Sequence, residues 1–193
     1  MTDAANRVSP IEAPELRVSA WLNTPEPLSL KRLRGRVVVL HAFQMLCPGC
    51  VSHGLPQAQQ IHELFSPEDV AVIGLHTVFE HHAAMTRVSL EAFVHEYRLS
   101  FPIGIDEAAA QGDVPLTMQT YGMRGTPSMV LIDRNGHIRL HEFGRLPDLA
   151  VGAAVAQLVA QPMDPSLKIN AGTMAAKEDG CGPDGCALDG AAK

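Results

Sequence analysis

The run Arg36-Val37-Val38-Val39-Leu40-His41-Ala42-Phe43 constrains the fold of this chain more than any other segment. It is almost continuously apolar and rich in β-branched residues, which is the pattern of a strand buried on both faces of a sheet. The run Val70-Ala71-Val72-Ile73-Gly74-Leu75 repeats this pattern further along the chain. A sheet with two covered faces needs helices on both sides, so the two runs predict an α/β fold.

Helix signals surround these two strands. Residues 47–65 are predicted to form a helix, with Pro48 in its first turn and a kink at Pro56. Ser89 is predicted to cap an amphipathic helix that carries Leu90 and Phe93 on its apolar face. These elements give a strand–helix–strand unit followed by further helical structure.

The second half of the domain is predicted from a turn signal. Asn135-Gly136 lies between the apolar runs 128–133 and 137–143, which predicts a β-hairpin. An Ala-rich helix over residues 146–159 follows it. We therefore expect a central mixed β-sheet flanked by helices, in which an insertion separates the strand–helix–strand unit from the strand–strand–helix unit.

Composition divides the 193 residues into three parts. Residues 1–15 are polar and contain proline, and are predicted to be an extended arm. Residues 16–160 are long enough to bury a core and are predicted to be one domain. Residues 161–193 are rich in Gly, Ala, Asp and Lys, and are predicted to be a flexible tail.

Charge and hydropathy exclude several classes of function. The net charge of −6 and the scattered basic residues give no footprint for a nucleic-acid partner. No segment approaches the 18 or so apolar residues that a membrane-spanning helix needs. The first seven residues lack the basic and apolar segments of a secretory signal, so we expect the protein to be cytoplasmic.

The motif Cys47-Pro48-Gly49-Cys50 carries the strongest chemical signal. It joins a buried strand to a helix N-terminus, where unpaired N–H groups and the helix dipole stabilise a thiolate. We expect Cys47 to be exposed and to attack a disulfide, and Cys50, one turn further on, to resolve the mixed disulfide. The alternatives for such a spacing are half of a zinc site or an inert pair.

The strand and motif from Val38 to Cys50 resemble the active-site segment of the thioredoxin superfamily, and Gly125-Thr126-Pro127 resembles its cis-proline loop. Leu30-Lys31-Arg32-Leu33-Arg34-Gly35-Arg36 and the insertion resemble the TlpA/ResA-like and AhpC/TSA-like branches. The resemblance implies a thioredoxin fold over roughly residues 15–160. It also implies a thiol–disulfide oxidoreductase, with antioxidant roles among its relatives.

The resemblance also implies a set of supporting residues. Pro127 would be cis and face the cysteines, and Thr126 would offer backbone groups to the partner chain. Pro48 and Gly49 would help to set the reduction potential. The implied partners are protein disulfides or dithiols and a thiol reductant or oxidant, with no cofactor and no metal.

Two positions depart from the thioredoxin pattern. Leu46 stands where many relatives have Trp, and His41 stands where thioredoxin has a buried acid. The pKa of histidine is near working pH, so His41 is a candidate acceptor for the proton of Cys50. The alternative is a buried histidine that is hydrogen-bonded to a backbone carbonyl.

Two other functions occur on similar folds. A peroxiredoxin-like peroxidase would need Thr or Ser where this chain has Gln44, and Pro where it has Leu40. A Sco-like copper-handling protein would need a CxxxC spacing and a distant histidine, for which His137 and His141 are candidates. Both alternatives fit the sequence less well than dithiol–disulfide exchange.

Two further groups of residues have open interpretations. His76, Glu80, His81 and His82 are possible metal ligands, although adjacent loop histidines are usually only solvated. Cys181 and Cys186 are separated by Gly-Pro-Asp-Gly, which favours a compact turn. This second pair is a candidate redox partner for Cys47 and Cys50, a metal site or a bystander.

Overall fold

The computed structural model describes residues 11–162. Its strands are β1 (Val18–Leu22), β2 (Val37–Phe43), β3 (Val70–His76), β4 (Ile103–Asp106), β5 (Ser128–Ile132) and β6 (Ile138–Phe143). They form one sheet in the order β1-β4-β3-β2-β5-β6. Strands β2, β3 and β4 are parallel, whereas β1, β5 and β6 run antiparallel to their neighbours. The predicted mixed sheet is confirmed.

Helices cover both faces of this sheet. They are α1 (Leu55–Leu64), α2 (Arg87–Glu96), α3 (Leu116–Tyr121) and α4 (Asp148–Ala160). Residues of α1, α2 and α4 pack with one face of β2, and residues of α3 and of the turn around Leu30 pack with the other. All seven residues of β2 are buried, as its apolar sequence predicts.

The predicted insertion is also present. The unit β2-α1-β3 is separated from β5-β6-α4 by a segment that contains α2, β4 and α3. Within the hairpin, the N–H of Gly136 donates to the C=O of Asp133 at 2.8 Å, and Gly136 has a φ of 82°. Glycine is favoured there because side chains with a Cβ rarely adopt positive φ.

Two local predictions need correction. The cap of α2 is Thr86 and not Ser89, since the Thr86 hydroxyl accepts the N–H of Ser89 at 3.3 Å. Ser89 lies inside the first turn. The irregularity predicted at Pro56 occurs in the turn before it, because Cys50–Gly54 is wound as a π-helix and the N–H of Leu55 donates to the C=O of Cys50. Proline excludes normal α-helical bonding to the preceding turn.

The ends of the described region bear on the predicted boundaries. Residues 11–15 of the predicted arm pack against the domain, where the N–H of Ala13 donates to the C=O of Gly136 at 2.9 Å. The remainder of the arm, the tail beyond residue 162 and the pair Cys181 and Cys186 lie outside the described residues.

Candidate active site

The two cysteines lie where β2 ends and a helix begins. The chain turns after Phe43, and the N–H of Cys47 donates to the C=O of Gln44 at 3.2 Å. Helical structure starts at Pro48, continues through the π-helical turn and becomes α1. The N–H of Cys50 donates to the C=O of Cys47 at 3.0 Å, so Cys47 occupies the start of this helix.

Cys47 is the accessible member of the pair. It is partly exposed and its thiol is free. Its Sγ accepts the N–H of Cys50 at 3.3 Å, and its S–H donates to the C=O of Thr126 at 3.4 Å. A sulfur that accepts a backbone N–H at a helix N-terminus is suited to carry negative charge.

Cys50 is fully buried, and its thiol is also free. Burial, followed by the hydrogen bond with the Cys47 side chain, raises the pKa of the Cys50 thiol to about 12. At neutral pH Cys50 is therefore a protonated thiol behind Cys47. This contrast supports the predicted roles, in which Cys47 attacks and Cys50 resolves.

The cis-proline loop lies against the cysteines. The Thr126–Pro127 bond is cis, as the resemblance implied. The hydroxyl of Ser128 donates to the C=O of Gly125 at 2.7 Å, and the N–H of Gly144 donates to the C=O of Pro127 at 2.8 Å. A Cβ at Gly49 would lie 3.4 Å from Pro127 Cδ. Loop and motif are therefore in close contact.

His41 is buried in the middle of this arrangement. It is 2% exposed, and neither ring nitrogen has a hydrogen-bond partner. Burial, with a smaller effect from His53, lowers the pKa of His41 to about 4. The backbone carbonyl that would satisfy a structural histidine is not found for this ring. An unpaired buried polar group costs about 1–3 kcal/mol, so its presence calls for a functional reason.

Gly54 explains how the His41 ring fits beneath the helix. A Cβ at Gly54 would overlap the His41 ring, and it would lie 3.3 Å from Pro127 Cβ. The sequence analysis did not identify this residue. The available signal was a glycine inside a helical segment, which usually has a packing reason.

The sequence analysis also missed a polar clamp between the active-site helix and the start of α4. His53 Nε2 lies 3.0 Å from the C=O of Leu146 and 3.6 Å from the carboxylate of Asp148. Gln57 donates to the same carbonyl at 3.0 Å and to the same carboxylate at 2.6 Å. Only the tertiary structure brings these residues together.

The residues at the peroxidase positions have other contacts. Gln44 is buried, accepts the N–H of Phe79 at 3.4 Å and donates to the Glu80 carboxylate at 3.4 Å. Leu40 is fully buried in the core. Neither side chain is placed to activate a peroxide.

The histidines do not assemble into a metal centre in the part of the chain that the structure describes. No group of three or more His, Cys, Asp or Glu residues within 11–162 is arranged to hold an ion. His76 is buried against Phe43. His137 lies in the β5–β6 turn, at the end of the strands opposite the cysteines. Among these same residues, no helix is long and apolar enough to cross a membrane.

Comparisons with known proteins agree with this geometry. The profile of the AhpC/TSA family matches residues 11–141. The crystal structure of a thioredoxin-like superfamily protein is 52% identical, with a TM-score of 0.78 over 80% of this chain and 99% of that one. A thiol-disulfide isomerase from Corynebacterium glutamicum is 46% identical, with a TM-score of 0.74 over 78% of this chain and 98% of that one.

Curated relatives are more distant. Protein DipZ of Mycobacterium bovis is 29% identical over 81% of this chain, which spans 22% of DipZ. The thiol-disulfide oxidoreductase ResA of Halalkalibacterium halodurans is 28% identical over 62% of this chain and 61% of ResA. The chain thus spans about a fifth of the one relative and about three fifths of the other.

Proposed function

The chain belongs to the AhpC/TSA family. We propose that it is a thiol–disulfide oxidoreductase in which Cys47 and Cys50 undergo dithiol–disulfide exchange with protein partners. The observation that carries the proposal is the contrast between the accessible Cys47 at a helix N-terminus and the buried Cys50, whose pKa is raised to about 12. Two-step thiol–disulfide exchange needs an accessible sulfur that attacks first and a second sulfur within reach that resolves the mixed disulfide.

The proposed reduction of a partner proceeds in two displacements. The Cys47 thiolate attacks one sulfur of the partner disulfide, and the other partner sulfur leaves as a thiolate. Cys50 then attacks Cys47, which forms the Cys47–Cys50 disulfide and releases the second partner sulfur. A thiol reductant restores the dithiol, and the same steps in reverse oxidise a partner.

His41 has a place in the second displacement. The thiol proton of Cys50 must leave as its sulfur bonds to Cys47, and the thiol becomes acidic only during that attack. The unpaired ring of His41 lies beneath Gly54, one turn beyond Cys50. Burial lowers the pKa of His41 to about 4, so its ring is neutral at pH 7 and is a weak base, which takes this proton only transiently while Cys50 attacks Cys47.

Supporting residues position the partner. The C=O of Thr126, at the cis bond, accepts the S–H of Cys47 in the free protein, and a backbone N–H of an incoming chain would take the place of that donor. Pro48 and Gly49 separate the two sulfurs, and Pro127 closes the site over Gly49. The Gln44 and Leu40 contacts argue against the peroxidase alternative, and the CxxC spacing argues against the copper-handling one.

We extend the proposal to the cell. The protein is proposed to be cytoplasmic, as predicted from the sequence, where the reducing environment keeps Cys47 and Cys50 as a dithiol. The chain then reduces partner disulfides, in an antioxidant role. Alkylation of thiols at lysis, followed by fractionation of native cells, measures both location and redox state. Recovery of the protein as a disulfide outside the cytoplasm contradicts this part.

The second cysteine pair enters only from the sequence. We propose that Cys181 and Cys186 exchange with Cys47 and Cys50, since a tether of about twenty residues has a root-mean-square reach of roughly 25 Å. Removing the residues after Gly180 should then change the rate at which thioredoxin or glutathione reduces the active-site pair. An unchanged rate and potential makes the second pair a bystander.

Partner trapping tests the central proposal. A Cys50→Ala variant cannot resolve a mixed disulfide, so it should accumulate partner proteins on Cys47 in native cells. A Cys47→Ala variant is the matched control and should trap none. Equal recovery of disulfide-linked proteins from both variants contradicts the assigned roles.

A further inference from the structure

A partly apolar, basic surface borders Cys47 on the side of the cis-proline loop. We define this docking face by Arg124, Phe143 and Arg145. Phe143, the last residue of β6, is 49% exposed and rests on Gly125, where a Cβ would lie 2.8 Å from its ring. Gly125 immediately precedes Thr126, the residue whose carbonyl contacts the Cys47 sulfur. The ring therefore packs against the same loop that contacts the reacting sulfur of Cys47.

Arg124 is stacked on this ring. Its guanidinium carbon lies 5.5 Å from the Phe143 ring centroid, within the range of a cation–π contact. Six other arginines bond to a carboxylate, whereas Arg124 has no such partner in residues 11–162. A guanidinium held by a ring keeps the N–H donors at its edge available for a carboxylate from another molecule.

Arg145 adds a second cation beside the loop. It follows Gly144, whose N–H donates to the C=O of Pro127 at 2.8 Å, and its side chain is exposed. It forms no ion pair with any described residue. Glu142 forms no ion pair with Arg145; strand alternation places it, with its partner Met129, on the sheet face that packs against α1, and Phe143 on the other face. Two positive charges without an ion pair in residues 11–162 thus lie beside the cis-proline loop of a chain whose net charge is −6.

We propose that the docking face selects protein partners that carry carboxylates next to their reactive cysteine. This inference rests on the proposed function, because it concerns the partner that exchanges with Cys47. An extended partner segment at Thr126 would place the residues beside its cysteine near Arg124 and Arg145. Charges at the edge of an interface act mainly on the association rate and its salt dependence.

Peptide exchange kinetics test the inference in one step. Three peptides of equal length carry a cysteine in a disulfide with thionitrobenzoate, flanked by Glu, Gln or Lys. In the Cys50→Ala protein, the Cys47 thiolate bonds to the peptide sulfur, and thionitrobenzoate leaves as a coloured thiolate. The second-order rate is measured at low and high salt for this protein, for an added Arg124→Gln and for an added Arg98→Gln. Arg98 is exposed and lies between α2 and β4, at the opposite sheet edge, so it is the matched control.

The expected order of rates is Glu, then Gln, then Lys, with about threefold to fivefold between successive peptides at low salt. High salt and Arg124→Gln should each reduce this spread, and Arg98→Gln should not. Equal rates for all three peptides overturn the acidic preference and leave the proposed function standing. A preference that survives Arg124→Gln unchanged overturns the assignment to the docking face. Absence of exchange with every peptide overturns the proposed function, and this inference with it.

Discussion

Polar residues are paired differently at the two ends of the strands in the sheet. At the end where β2 starts and the β5–β6 turn lies, charged side chains pair with each other. Arg34 bonds to Glu12 at 2.6 Å, and Arg134 bonds to Asp69 at 2.8 Å. Asp133 accepts two backbone N–H groups of the turn at 2.9 Å each. These groups hold loops in place.

At the opposite end of the strands, where β2 ends, Gln44, His53 and Gln57 are paired, but several other polar groups are not. Both ring nitrogens of His41 lack partners, as do His76 Nε2 and the Thr77 hydroxyl, and Arg124 contacts only an aromatic ring within the described chain. Satisfied polar groups stabilise a fold, whereas unsatisfied ones carry a cost in stability that function explains. Most of the unpaired buried groups thus lie at the cysteine end, where the exchange chemistry is proposed, whereas the other end has Arg134 Nε alone among the described residues.

The largest expected effect is on stability in acid. The pKa of His41 is 6.5 in the unfolded chain and about 4 in the folded one, so the unfolded state binds the proton first as pH falls. Stability should fall between pH 6.5 and pH 4, by about 3 kcal/mol from this group. His41→Leu should remove this loss in urea unfolding measured across that range.

Two groups need separation from His41 in that measurement. Burial also lowers the pKa of His76 to about 4, and burial raises the pKa of Asp106, which acts in the opposite direction. Both remain in the His41→Leu protein, so the difference from wild type isolates His41. The exposed His95→Gln is the control. An acid profile that His41→Leu leaves unchanged contradicts the burial of a neutral ring.

The second effect concerns the fit of His41 beneath the helix. Gly54→Ala should destabilise the protein by about 2 kcal/mol, because the new methyl group overlaps the His41 ring. In the His41→Leu background the cost should largely disappear. Gly152→Ala, a helical glycine in α4 with open space around its Cβ, should be neutral or stabilising. Additive effects of Gly54→Ala and His41→Leu in chemical unfolding would show that the two residues do not contact.

The third effect is kinetic. His41→Leu should slow the resolution of a mixed disulfide by severalfold, up to about tenfold, since a weak, transient proton acceptor is lost. Rapid mixing of the reduced protein with an asymmetric small disulfide measures this step, because its first thiol leaves when Cys47 attacks and its second leaves when Cys50 resolves the adduct. The attack by Cys47 itself should keep its rate. Unaltered resolution assigns His41 to packing alone.

The smallest expected effect is that of an ion pair at the end of the strands where β2 starts. Glu12→Gln removes the charge from the pair with Arg34, in which the Glu12 side chain is 74% exposed. We expect a loss of at most about 1 kcal/mol in thermal or chemical unfolding. The rate of thiol–disulfide exchange should be unchanged. A changed rate would mean that this ion pair affects the cysteines at the other end of the strands.

Much of this organisation was predictable from local sequence. Apolar runs predicted the buried strands β2 and β3, and Asn135-Gly136 predicted the hairpin. The cis bond at Pro127 came only from the family resemblance. These features depend on neighbouring residues or on a motif, so one sequence is enough to identify them.

The features that were missed depend on distant contacts. Gly54 matters because of a ring thirteen residues earlier in the chain, and His53 and Gln57 contact residues near position 147. The unpaired state of His41 is a property of every element packed around it. Ser89 and Thr86 are both good cap residues, so only the helix start decides between them.

Alkylation of the reduced protein tests the central claim most directly, because it compares the two cysteines in one molecule. A limiting amount of a small alkylating reagent is added at pH 7, and peptides that contain each cysteine are quantified by mass spectrometry. The partly exposed Cys47 should react at least about tenfold faster than Cys50, which is buried and has a pKa raised to about 12. Equal labelling of both residues, or faster labelling of Cys50, would contradict the assigned roles.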